Sequence, residues 1–466
     1  MADSAMNGKQ YVKKLIERAR AAQRIAESFS QERVNELSTA IAWCIVKEDN
    51  VRALAKLAME ETRMGDYESK CLKIKKKIKG VQRDIKNAKS VGIIEDNPKT
   101  GIMKIAKPVG IIGAIIPCTN PTITPAIKAM NAIKGRNAIV CSPHPRSVKT
   151  TFKTVELMRA VLKKHGAPED LIICPETSSK EISKEIMQQC DLIVATGGAA
   201  MVRAAYSSGT PAYGVGAGNV VVVVDETADL AEAAHKIMLS KTFDLASGCS
   251  CDNSVVVHES IYDAFLAALQ KEGGFLTNIE QKRKLQDAMW VNGVLNKDVV
   301  AQPAKSIAEL ADFDIHENTK FIIVEEEGIG PEDPFSGEKM CVVLAVYKYH
   351  LFDDAIAMVN KIQSYQGPGH SCGIYSFDED HILQLSLRTK TSRVMIRQPQ
   401  NYGNSGDWCN GMPFTVTLGC GSWGGNITTE NIVLKHYINI TWVSRPIEAA
   451  VPSDEELFGD LISKDI

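Results

Sequence analysis

The sequence predicts an α/β protein built from two open sheets with helices packed on their faces. Three observations predict it. Short apolar runs alternate with helical stretches from residue 109 to 225. The alternation begins again at residue 230. A small-residue turn, Thr196-Gly197-Gly198, joins a strand to a helix, the kind of place where open α/β sheets bind ligands.

Each element has its own reason. Residues 11–63 read as helices, because Leu37, Ile41 and Ile45 recur at helical spacing, as do Leu54, Leu57 and Ala58. The basic run Lys73, Lys75, Lys76, Lys77 and Lys79 reads as a solvated helix face, with a phosphate patch as the alternative. Residues 101–106 alternate as a strand and run into 109–117, continuously apolar and suited to burial on both faces of a parallel sheet. Asn120-Pro121-Thr122 opens a helix over 125–133. Strand 137–141 ends in the turn Ser142-Pro143-His144-Pro145 and is followed by helix 147–165. Strand 171–174, helix 182–190, strand 192–195, helix 199–207 and strand 220–224 continue the series. Gly214, Gly216 and Gly218 imitate a dinucleotide fingerprint, but a strand follows them instead of a helix. They are either a tight turn or part of a site. The second series has helix 230–242, strand 253–258, helices 261–273 and 279–292, strand 341–347 and helix 353–362. Residues 436–443 alternate as an edge strand, and Ser453 with Glu456 forms a capping-box pattern before Leu457-Phe458.

The bulk properties narrow the function. A chain of 466 residues exceeds one ordinary core. Lys and Arg number 54 against 56 Asp and Glu, a balance that points to neither nucleic acid nor a membrane surface. Residues 1–10 are polar without an apolar signal core, and no apolar segment is long enough to span a bilayer. The twelve cysteines are scattered without zinc-site spacing, so reduced thiols and a cytoplasmic location are expected. Cys249 and Cys251 lack a second pair at metal spacing, so no metal is expected there.

The chemistry centres on Phe243-Asp244-Leu245-Ala246-Ser247-Gly248-Cys249-Ser250-Cys251. Small neighbours let a ligand reach the thiol and leave backbone N–H groups facing it, which a thiolate nucleophile requires. Cys251 and Cys118 read as small packing residues beside it.

The chain resembles the aldehyde dehydrogenase superfamily, and most of all its coenzyme-A-acylating branch, including the aldehyde dehydrogenase half of bifunctional aldehyde–alcohol dehydrogenases. The segments carrying the resemblance include Ile116-Pro117-Cys118-Thr119-Asn120-Pro121-Thr122, Ala195-Thr196-Gly197-Gly198 and Gly214-Val215-Gly216-Ala217-Gly218-Asn219. Glu338-Lys339, Gly369-His370 and Leu418-Gly419-Cys420-Gly421-Ser422-Trp423-Gly424 follow in the family's order. The resemblance implies a Rossmann-like cofactor domain, an α/β catalytic domain and a β-hairpin oligomerisation element. The domains are placed at 1–225 for the dinucleotide, 226–430 for catalysis and 431–466 for a C-terminal strand and tail. It implies a homodimer or homotetramer with the hairpin near 101–106 and the strand 436–443 at the interface.

The resemblance also implies roles. Cys249 is the nucleophile, and Asn120 with the Cys249 N–H is the oxyanion hole. His370 lies near the nucleophile or the CoA path; the alternative is a structural histidine. Glu338 holds the nicotinamide ribose. Thr196, Gly197 and Gly198 lie near the cofactor pyrophosphate, Gly216 is counted among the cofactor-binding residues, and Ser142, Pro143 and His144 lie beside the adenosine ribose. Hydrolytic relatives carry a general-base glutamate where this chain has Val215, so the acyl-enzyme waits for the CoA thiol. NAD-preferring relatives carry a glutamate where Pro145 stands, and Arg146 beside it suits a 2′-phosphate, so either NAD or NADP is expected. Arg397 is expected near the substrate, where it suits an anionic aldehyde such as sulfoacetaldehyde; a structural salt bridge is the alternative.

The expected reaction joins a small aldehyde to CoA with reduction of NAD or NADP. Two alternatives stay open: an acyl-phosphate reductase like glutamyl-phosphate reductase, and a non-catalytic scaffold. No shell-targeting extension is expected ahead of residue 11, and no fused alcohol dehydrogenase after 443.

Overall fold

The computed structural model describes residues 8–463, so part of the polar start expected over 1–10 and the last three residues of the tail lie outside the described residues. Four helices come first: α1 (Gly8–Ala26), α2 (Gln31–Val46), α3 (Glu48–Thr62) and α4 (Tyr67–Ile85). A hairpin follows, β1 (Gly92–Asn97) and β2 (Ile102–Pro108). The first alternating series is β3 (Ile111–Ile115), α5 (Ile123–Lys134), β4 (Ala138–Ser142), α6 (Val148–Lys164), β5 (Ile172–Ile173), α7 (Lys180–Gln189), β6 (Leu192–Thr196), α8 (Ala199–Tyr206) and β7 (Ala212–Val215).

The second series opens with β8 (Val220–Val224), α9 (Leu230–Thr242), β9 (Asp252–His258), α10 (Tyr262–Lys271), β10 (Gly274–Leu276) and α11 (Ile279–Met289). It continues through the small hairpin β11 (Trp290–Val291) and β12 (Val294–Leu295), then α12 (Ala304–Leu310), β13 (Phe321–Glu325) and β14 (Val343–Tyr349). It closes with α13 (Phe352–Tyr365), β15 (Cys372–Tyr375), α14 (Glu379–Arg388), β16 (Val394–Ile396) and α15 (Gln400–Gly403). Strand β17 (Ile438–Ser444) returns to the first hairpin.

The first series forms a parallel sheet in the order β5-β4-β3-β6-β7, whose strand order reverses direction between β3 and β6. Crevices open at such reversals, outside the strands' carboxyl ends. The second series forms a seven-stranded parallel sheet, β10-β13-β14-β9-β8-β15-β16. Its interior strand β8 is five consecutive buried valines, as a strand covered by helices on both faces demands. Each sheet has its own apolar core.

Several expectations need correction. Residues 101–117 are not one run. Gly110, at φ 126°, turns the chain from the antiparallel sheet β1-β2-β17 into the first parallel sheet. The expected helix 279–292 stops at Met289, where the chain enters the β11–β12 hairpin. Strand β8 belongs to the second sheet, so the chain crosses between sheets at 216–219, ahead of residue 225. Phe414, Ile432, Leu434 and Tyr437 return to the first core.

The basic run is not a solvated face. Lys70, Lys73 and Lys77 are buried on α4, while Lys79 is exposed. They lie three and four residues apart, on the stripe that also holds Ile74, Ile78 and Val81. No helix among the described residues is long and apolar enough to cross a membrane.

Candidate active site

The cavity that joins Asn120 to Cys249 brings the carboxyl ends of the first sheet to the amino ends of the second. The loops after β3 and β7 leave the carboxyl ends of the first sheet, while Cys249, Gly218, Glu338 and His370 precede strands β9, β8, β14 and β15 of the second. Cys249 and Asn120 line one small cavity of about 60 Å³, together with Lys73, Lys77, Phe243 and Ser405.

The nucleophile loop is held in an unusual backbone path. Asp244, Leu245 and Ala246 have φ of 51°, 49° and 62°, a left-handed run that costs roughly 1–2 kcal/mol per residue without compensation. The buried Asp244 carboxylate supplies the compensation. It accepts from Lys70 Nζ at 3.1 Å, from Lys73 Nζ, from Ser247 Oγ at 2.6 Å and from the Asp66 N–H at 3.1 Å. Burial alone would raise its pKa; Lys73 and Lys70 instead hold it below the usual range. Gly65 permits this packing, since a Cβ there would sit 1.9 Å from Asp244 Oδ1. Helix α4 therefore fixes the loop that delivers Cys249.

Cys249 Sγ lies 3.3 Å from His370 Nε2, and His370 Nδ1 lies 2.8 Å from Ser371 Oγ. With Nδ1 donating to Ser371, Nε2 turns its lone pair to the thiol. Burial pushes the His370 imidazole down to about 3, helped by the Arg393 cation. Burial pushes the Cys249 thiol up to about 12, with Glu338 and Cys420 adding to it. The resting pair is thus thiol and neutral imidazole, an arrangement in which the sulfur can give its proton to Nε2 on bonding to an electrophile.

Asn120 completes the centre. Its Oδ1 accepts from Lys73 Nζ at 3.1 Å, which fixes the amide plane. The carbonyl end is thereby engaged; one Nδ2 hydrogen donates to Thr119 Oγ1 at 3.3 Å and the other is left for the cavity. Gly218 folds tightly over the centre, where a Cβ would stand 2.2 Å from the Cys249 carbonyl and 2.9 Å from the His370 ring. Glu338 Oε1 accepts from the Gly218 N–H at 3.1 Å, and burial pushes its carboxyl up to about 7.

The residues expected to meet a dinucleotide sit at the carboxyl ends of the first sheet. Gly198 caps α8 with no side-chain hydrogen bond, so that helix's first N–H groups stay free for a phosphate. A Cβ at Gly198 or Gly216 would meet nothing within 4 Å, which leaves open room along the backbone. This arrangement fits a pyrophosphate. Thr196 Oγ1 lies 3.0 Å from Thr417 Oγ1 and supports the turn. Ser142 is different: its hydroxyl is buried 2.9 Å from Ser183 Oγ and turned inward, so only the backbone of that turn faces a ligand. Pro143 is buried and its carbonyl accepts from Ser178 Oγ at 2.6 Å. His144 Nδ1 accepts from the Arg146 N–H at 3.1 Å. The exposed Arg146 guanidinium donates to the Thr62 carbonyl at 2.9 Å.

Arg397 is not brought to the site. It follows β16, whereas His370 precedes β15, and the two strands are parallel. Its guanidinium pairs with Glu232 at 3.2 Å and lies 3.9 Å above the Phe377 ring. The structural salt bridge is what forms. The arginine at the correct end is Arg393, buried, which donates to the carbonyls of His370 at 2.9 Å and Gly419 at 2.7 Å. It positions the histidine backbone.

Sequence reasoning missed Lys70, Lys73, Lys77, Asp244 and Arg393. A signal for the lysines was present, since they share a helical face with Ile74 and Ile78. Val215, where hydrolytic relatives carry a base, is 4% exposed.

Known proteins share this arrangement. The profile of the aldehyde dehydrogenase family matches residues 1–311. The chain is 46% identical over 460 residues to the acylating sulfoacetaldehyde dehydrogenase of Bilophila wadsworthia, a span of 97% of this chain and 99% of that protein. It is 40% identical over 456 residues to the acetylating succinate-semialdehyde dehydrogenase of Clostridium kluyveri, covering 97% and 100%. The crystal structure of an acetylating aldehyde dehydrogenase from Geobacillus thermoglucosidasius superposes with a TM-score of 0.93 at 36% identity, over 97% of this chain and 100% of that one. With a cysteine loop and an asparagine amide facing each other between two parallel sheets, and likeness along nearly the whole length, the chain belongs to the aldehyde dehydrogenase family.

Proposed function

We propose that the protein is a CoA-acylating aldehyde dehydrogenase whose substrate is a small aldehyde with an anionic terminus, such as sulfoacetaldehyde. One observation carries this reading: the walls of the cavity at Cys249 contain two lysines and no carboxylate. No acid there serves as a base for water, and the charge suits an anion. The two relatives described above act, by name, on aldehydes ending in a sulfonate and a carboxylate.

The chemistry follows from the side chains. Cys249 Sγ adds to the carbonyl carbon as its proton passes to His370 Nε2. The Asn120 amide and the Cys249 N–H receive the developing oxyanion. Gly197, Gly198 and Glu338 would hold a nicotinamide dinucleotide, which would supply the hydride acceptor needed to reach the thioester on Cys249. His370 releases its first proton to solvent. With Val215 in place of a base, the thioester persists until the CoA thiol gives its proton to His370 Nε2 and adds; that proton then returns to the departing Cys249 sulfur. The products are acyl-CoA, reduced cofactor and a proton.

Arg146 has no carboxylate within ion-pair distance among the described residues, so a 2′-phosphate is accepted and NADP as well as NAD serves. The free edge of β17, where Trp442 is exposed, is the proposed contact of a homo-oligomer. Twelve free thiols suit a cytoplasmic location.

The test measures reduced-cofactor formation from sulfoacetaldehyde and acetaldehyde, each with and without CoA. Strict dependence on CoA, with sulfoacetaldehyde the better substrate, is expected. Equal turnover without CoA would overturn the acylating reading.

A further inference from the structure

A lysine ammonium is seldom buried without an acid, because desolvation disfavours its charged form. Lys77 is 5% exposed. Its Nζ donates to the Gly406 carbonyl at 2.8 Å, Ser405 Oγ at 2.5 Å, the Ser405 carbonyl at 3.2 Å and the Tyr402 carbonyl at 3.4 Å. All four acceptors are neutral. The other cations of α4 are provided for. Lys70 and Lys73 share Asp244, and Lys76 pairs with Asp407 at 2.7 Å. Lys77 alone among these four lacks a carboxylate, and it lines the cavity that contains Cys249 and Asn120.

We infer that Lys77 is the residue that selects an anionic aldehyde, its ammonium pairing with the substrate's sulfonate or carboxylate while the carbonyl lies between Cys249 and Asn120. This inference rests on the acylating reaction proposed above and assigns its substrate specificity. The anion supplies the counter-charge that the buried site lacks, and the weakest contact, to Tyr402, is the one it displaces. Lys73 adds a second positive charge on the same wall, though its own donors are committed to Asp244, Asn120 and Ser247. A neutral aldehyde leaves the ammonium unbalanced, so the site discriminates by charge as well as by size.

Burial pushes Lys77 down to about 7; Lys76 and Lys73 push in the same direction, and Asp407 opposes them. The free enzyme therefore carries the charge below about pH 7 and loses it above. Anion affinity falls as pH rises through that range.

The experiment compares kcat/KM for sulfoacetaldehyde and acetaldehyde, with CoA present, in the wild type, Lys77→Met and Lys77→Arg. The ratio of the two constants should fall about thirtyfold in Lys77→Met, mostly through KM, and recover to within about threefold in Lys77→Arg. If the wild type prefers the anion and Lys77→Met keeps that ratio, the inference is wrong and the acylating reading stands. If the wild type shows no preference for the anion, both the anionic substrate and this inference fail. Should the variants not fold, ethanesulfonate inhibition of the wild type decides. Competitive inhibition against the aldehyde that weakens about thirtyfold between pH 6 and pH 8.5 is expected. Absent or pH-independent inhibition overturns the inference.

Discussion

The two ends of the seven-stranded sheet carry the same kinds of side chain and do different work. At the amino ends stand Cys249, Glu338, His370 and Arg393, facing the carboxyl ends of the other sheet. At the carboxyl ends stand Asp225, His381 and Arg397, which pair locally. His381 Nδ1 bonds Asp225 Oδ2 at 2.9 Å, and Arg397 bonds Glu232. Strand β15 and its flanks separate the ends by about 13–16 Å at ~3.3 Å per residue. Arg393 and Arg397 are four residues apart in sequence yet on opposite sides of that divide. Residue type did not decide which arginine matters; the end of the strand did.

Substitutions sharpen the contrast, and the largest effect belongs to the nucleophile. Cys249→Ser should lower CoA-dependent turnover by at least about 10⁴-fold, measured as reduced-cofactor formation. His370→Ala should cost about 10²–10⁴ in kcat/KM, since no other base contacts Cys249 Sγ among the described residues. The contrast breaks if His381→Ala, at the other end, costs as much. Asn120→Ala should cost about 10²–10³, chiefly in kcat.

The pH profile is a further check on His370. Its imidazole, pushed down to about 3, is neutral from weakly acidic pH upward. No inflection near pH 6.5 in wild-type kcat/KM should trace to it, and one that vanished in His370→Ala would contradict the buried geometry. Arg397→Ala should have the smallest effect. Its half-exposed ion pair contributes about 0–1 kcal/mol, and kcat/KM for sulfoacetaldehyde should stay within about twofold. A large rise in KM would restore Arg397 to the substrate pocket.

Much of this was legible beforehand. The two strand–helix series, the nucleophile loop and the loop of Asn120 all follow from local pattern and resemblance. Strands β15 and β16 escaped because they are only four and three residues long, while the apolar run 321–324 of β13 was legible and was overlooked. Arg397 was misplaced because a residue beside a strand says nothing about which end faces the site until the strand order is known. The α4 lysines were misread for another reason. Charge suggested solvent, while their helical phase already placed them with Ile74 and Ile78 toward the interior. Asp244 was hidden because its value lies in three contacts with residues 171 to 178 positions away in the sequence, which no spacing reveals.

The central claim is that Cys249 holds an acyl group which only CoA removes. Intact-protein mass measurement after mixing enzyme, oxidised cofactor and sulfoacetaldehyde without CoA tests it most directly. One sulfoacetyl group per chain, mapped to Cys249 and discharged by added CoA as sulfoacetyl-CoA, is the predicted result. Free acid forming over many turnovers, with no adduct on Cys249, would contradict it.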